Sequence, residues 1–162
     1  MMKEFKRLIE KGLTSEASFV LVEIKDANGQ IDIPYLLELL METESGILRN
    51  EIALILSDYN VEEVVSLIIE LLQSPKTIGY RGSLVGALEP FDYKPYSKLL
   101  LELMLNDNYE VRRRSFTLLE PILEELSESE KDHFTKSINS KIEDLEEDIE
   151  ILEDVIDLLG KV

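Results

Sequence analysis

The chain contains no cysteine and a single histidine, His133, and its 17 lysines and arginines are set against 34 carboxylates. Without cysteine there is no disulfide framework, zinc knuckle or thiol chemistry. A lone histidine on a charged segment has no second soft ligand with which to hold a metal, so a surface role is expected for it. No nucleophile elbow surrounds any serine that would complete a triad with it. No catalytic residue, metal ligand or cofactor is therefore expected. The shortage of positive charge excludes more. A formal net charge of −17 has the wrong sign for gripping a phosphate backbone or an anionic membrane surface. It favours a basic protein partner, approached through a salt-sensitive field. No run approaches the roughly 18 apolar residues of a membrane span. Met1–Arg7 lacks the apolar core of a signal peptide, so a cytoplasmic location is the default expectation.

What is present is a repeat. At 162 residues and 44% hydrophobic, the chain suits one domain with a working core. Leu36-Leu37-Glu38-Leu39-Leu40 recurs after 32 residues as Ile68-Ile69-Glu70-Leu71-Leu72, and again as Leu100-Leu101-Glu102-Leu103-Met104. Each copy is followed by a short turn and an arginine heading a second apolar segment: Arg49, Arg81 and Arg112. A fixed period of this length marks stacked helix pairs, none able to bury its apolar face alone.

Local signals predict the elements. Helices are expected over Glu4–Lys11, closed by Gly12, and over Ser15–Asp26 with Thr14 as cap. Only Ser18–Val22 has a competing extended reading. Asp32 and Pro34 open a helix to Glu42, followed by Ile47–Asp58. Asn60 with Glu63 reads as a capping box for Val61–Gln73, and Tyr80–Leu88 follows. Tyr96–Leu105 pairs with a segment from Val111 that Pro121 must kink or end. Capping boxes at Ser127/Glu130 and Ser140/Glu143 predict a last pair, about Glu128–Asn139 and Lys141–Leu159. Ile142, Leu145, Ile149, Leu152, Ile156 and Leu159 form a heptad seam on its second helix.

Leu100–Met104, Asn106-Asp107, Val111-Arg112 and the apolar helix after them resemble a HEAT repeat. The copies at Leu48-Arg49 and Tyr80-Arg81 keep the arginine but not the valine or the turn aspartate. The resemblance covers about residues 31–126 and extends by period to both ends. It implies an all-α solenoid of about five stacked hairpins in one domain over 1–162, with repeats near 1–30, 31–60, 61–93, 94–126 and 127–162. Arg49, Arg81 and Arg112 would stand in a row. They form either a ladder bonding turn carbonyls and neighbouring acids, or an anion-binding stripe.

Three further groups are candidates. Tyr59, Tyr93, Tyr96 and Tyr109, beside Asp58, Asp92 and Asn108, are either packed edges or an exposed aromatic and acidic ridge. The carboxylates Glu146, Glu147 and Glu150 lie on the final helix. From Glu120 to Val162 the chain holds 15 acidic and 4 basic residues, a net of −11, against −6 for the rest (19 acidic, 13 basic). The heptad seam either packs on the preceding pair or pairs with a second copy; a monomer is the primary expectation. Asp26, Asn28 and Asp32 lack the glycine placement and closing glutamate of a calcium loop. Gly82 and Gly86 allow a neighbouring backbone to come close, or floor a groove.

The expected function is a non-catalytic module binding a basic protein. In size, acidity and lack of catalytic groups the chain is similar to bacterial immunity proteins, which neutralise a cognate toxin. A generic adaptor or assembly factor is the alternative. A HEAT-like DNA glycosylase would need a basic trough that this composition does not supply.

Overall fold

The computed structural model describes residues 1–160, and all regular secondary structure among them is helical. Nine α-helices occur in order: α1 (Met2–Glu10), α2 (Thr14–Asp26), α3 (Ile33–Glu42), α4 (Gly46–Asp58), α5 (Val64–Gln73), α6 (Arg81–Gly86), α7 (Ser97–Asn106), α8 (Tyr109–Leu119) and α9 (Glu128–Leu159). Short 3₁₀ segments lie at Pro75–Thr77, Lys94–Tyr96 and Glu120–Glu125. Among the described residues no helix is long and apolar enough to cross a membrane.

The helices pack in pairs: α1 with α2, α3 with α4, α5 with α6, α7 with α8. The second members also meet in succession, α2 against α4, α4 against α6, α6 against α8. One cluster of buried side chains runs through all of them, from Phe5 to Phe134. Helix α4 is its midpoint. Leu48, Ile52, Ala53, Ile55 and Leu56 are all buried there, on more than one helix face. That breadth follows from its four neighbours, α2, α3, α5 and α6.

Helix ends are set locally, and two asparagines show how. Gly12, Asn28 and Asn60 all adopt positive φ, at 71°, 46° and 56°. Each stands just past a helix. The next residue donates back across the terminus: Leu13 to Leu8, Gly29 to Ile24 and Val61 to Leu56. This satisfies carbonyls that the helix leaves open, and asparagine tolerates the left-handed region better than other non-glycine residues. Asn60 therefore closes α4 instead of capping α5. The expected Asn60/Glu63 box does not form, and α5 starts three residues later, at Val64. Thr14 is the first helical residue of α2 instead of its cap. Ser18–Val22 is helical. Asp32 does cap α3, accepting from the Tyr35 amide at 3.3 Å.

Helix α6 ends at Gly86, two residues early, because the backbone tightens into i→i−3 bonds before Pro90. At Pro121, as expected, α8 stops: it ends at Leu119 and passes into 3₁₀ geometry. The last pair is not a pair. Residues 128–159 form one continuous helix of 32 residues. Ser140 and Glu143 lie inside it, where no cap is needed. The expected final repeat, 127–162, is thus a single rod whose last two positions lie outside the described residues.

Two substitutions test this division between packed and open helices. Leu56→Ala should cost about 2–5 kcal/mol by chemical denaturation, whereas Ile149→Ala in dilute solution should stay within about 0.5 kcal/mol.

Candidate functional site

The candidate site is the outer half of α9. Its start is firmly built. The Ser127 hydroxyl accepts from the Glu130 amide at 3.3 Å, and the Glu130 carboxylate accepts from the Ser127 amide at 2.8 Å and hydroxyl at 2.6 Å. These bonds hold the Glu130 carboxyl below its ordinary pKa, with smaller help from Lys98 and Lys94. Lys94 ties the entry to α7 to the segment before α9 through Glu125, at 2.8 Å. Phe134 is buried, Ile138 is half-buried, and α9 rests on α7.

Beyond Lys141 the support ends. Every residue from Ile142 to Gly160 is exposed. From Leu145 outward the seam opens progressively, from 41% exposed there to 72% at Leu159. The reading in which this seam packs on the preceding pair is overturned. Ile151, Val155 and Leu158 broaden the apolar face over the last turns. Residues 142–159 carry nine carboxylates and no base. Glu146, Glu147 and Glu150 are all solvent-facing on this rod. The result is an apolar ridge lined by negative charge, suited to holding a surface that is greasy at its centre and cationic at its edges.

The junction residues make separate local contacts. Asp58 pairs with Lys25 at 2.6 Å, raising the lysine pKa. The Tyr59 hydroxyl donates to the Gly29 carbonyl at 2.6 Å, stitching α4 to the end of α2. Tyr93 is half-buried, and desolvation pushes its pKa up. Asp92 lines a shallow cleft of about 520 Å³ with Asn60, Glu62 and Phe91. Tyr96 lines a different groove, under α9. Tyr109, 78% exposed, stands at the start of α8, whereas Tyr59 and Tyr93 follow the ends of α4 and α6.

The three arginines meet carbonyls at the end of the preceding helix. Arg49 donates to Thr43, Arg81 to Ser74 at 3.1 Å and Arg112 to Met104 at 3.0 Å. Arg81 also reaches across to Asp107 at 2.9 Å and donates to the buried Thr77 hydroxyl at 3.3 Å. Arg49 is 1% exposed; burial pushes its pKa down, and Glu44 opposes that. Gly82 and Gly86 accept side chains, not backbone. A Cβ on them would strike the Glu110 carboxylate and the Arg114 guanidinium, themselves paired at 3.1 Å.

Among the described residues no three metal-ligating side chains are gathered. His133 is exposed, beside Phe134 and the groove under α9. That groove joins α5, α7 and α9, and sequence reasoning missed it because its walls come from segments about 70 residues apart. No protein-family model, curated protein or solved structure matches the chain.

Arg49→Ala should destabilise by about 3 kcal/mol, since it leaves a cavity and an unpaired carbonyl. Arg49→Met should cost about 1 kcal/mol and Arg112→Ala less than about 0.5 kcal/mol; denaturant midpoints give the order. Glu130 has a depressed pKa when folded, so its contribution exists above the ordinary carboxylate range and disappears as acid protonates it. Glu130→Gln should therefore lower stability near neutral pH, and the difference should close on acidification. An acid titration of thermal unfolding measures it.

Proposed function

We propose that this protein is a non-catalytic binding module, a HEAT-like helical solenoid that captures a basic protein through the outer half of α9. One observation carries the reading: an 18-residue stretch of helix whose apolar seam faces solvent amid nine carboxylates with no base among them. Large apolar ridges on soluble proteins mark places where something else docks. Here the flanking charge specifies the sign of that partner. Carboxylates would steer a cationic surface inward, and the seam would hold it once water is expelled.

The solenoid part of the proposal is supported by the order of packing. The pairs follow one another along the chain, and second helices touch their successors. Arg49, Arg81 and Arg112 occupy one place in successive pairs, and Asn28 and Asn60 close successive second helices 32 residues apart. Within this class, neutralisation of a cationic toxin is the specific role we favour, because inhibition by masking needs no chemistry from the inhibitor.

Retention of a basic partner on the immobilised protein should be strong at low salt and fall steeply at high salt. Glu146→Gln, Glu147→Gln and Glu150→Gln together should weaken it at least tenfold. Binding that ignores both salt and these substitutions would refute the proposal.

A further inference from the structure

Two surfaces stand uncovered among the described residues, and they complement each other. One is the projecting helix, with an open apolar seam and nine carboxylates. The other is a groove of about 810 Å³ where α5 and α7 meet α9 between His133 and Asp144. Half-buried Ile69, Leu99 and Leu105 lie along its floor, and Lys98, Lys136 and Lys141 along its rim. Two acids, Glu102 and Asp144, also line it, and Lys136 is engaged by Asp132 at 2.7 Å. Lys98 and Lys141 make no salt bridge among the described residues. In a protein of net charge −17 this groove gathers three lysines around apolar side chains.

We infer that the outer half of α9 from one copy lies in this groove of a second copy, and reciprocally, giving a two-fold dimer. Charge selects this occupant. The helix brings carboxylates to lysines, and its seam covers the aliphatic floor. Pairing two seams directly would instead set nine carboxylates against nine. The chain's own groove is out of reach while α9 is straight. The helix runs through Asn139-Ser140-Lys141 with no glycine or proline anywhere between Glu128 and Leu159. Folding back would open about four backbone hydrogen bonds at each new helix end. Exchange between copies keeps the helix intact and fills both grooves. The helix face used is the one proposed to capture a basic protein, so the lysine-rimmed groove of a second copy occupies the place of that partner.

Sedimentation velocity of the full chain decides this. At low salt and high micromolar concentration the mass should be double that of one chain, returning to a single chain at high salt. Lys98→Glu with Lys141→Glu should abolish the dimer at low salt. Glu146→Lys with Glu153→Lys, which flank the seam, should do the same. Mixing the two variants in equal amounts should restore it, because each then offers the other a matched helix and groove. Far-ultraviolet circular dichroism should match wild type for both. A wild-type chain that stays monomeric at low salt overturns the inference. So does a dimer that survives Lys98→Glu/Lys141→Glu, which would signify seam-to-seam pairing. The groove variant keeps every carboxylate of the projecting helix, so capture of a basic partner by that variant tests the proposed function separately.

Discussion

Each pair of short helices in this chain has more apolar surface than its two members can hide from water, so each pair needs the next. That constraint orders the molecule. α4 is buried on several sides because pairs flank it before and after. The buried cluster thins at the far end, where α9 contributes Phe134 and the half-buried Ile138 and then nothing. The seam beyond Lys141 is the same kind of surface, left uncovered among the described residues. An open apolar face invites association, and the functional proposal and the exchanged dimer both grow from that fact.

Polar groups are divided according to the same gradient. Where pairs meet, arginines are drawn inward to close turns, and the guanidinium fork suits this because it can serve a carbonyl and a carboxylate at once. Arg81 does so with Ser74 and Asp107. The buried Arg49 donates to the Thr43 carbonyl, while its Nε finds no partner among the described residues. Where packing ends, the charge is single-signed and solvated. Carboxylates along the outer half of α9 keep an otherwise adhesive ridge in solution, and the same charges restrict what can cover it.

Several elements were legible from neighbours in sequence, and the failures have a common cause. Ser127 with Glu130 and Ser140 with Glu143 are the same local motif, yet only the first caps a helix. A capping box lowers the cost of starting a helix but does not oblige the preceding one to stop. Asn139-Ser140-Lys141 offers no glycine or proline to end the helix there, so α9 runs on. Asn60 suits an N-cap, but asparagine also tolerates the left-handed region. It takes the second role at the end of α4, where the Val61 amide returns to Leu56. The groove under α9 carried no signal along the chain, since Ile69, Lys98 and Lys141 belong to different elements.

The order of residues alone determined that the chain would be helical, where most turns fall, that arginines would head successive second helices, and that acid and an apolar seam would share the final helix. These follow from short-range periodicity, turn chemistry and composition, which act over a few residues. Only the tertiary structure decided whether that seam would be covered and which lysines would line one groove. Burial is a property of what lies opposite a side chain, and what lies opposite is set by the packing of segments far apart in the chain.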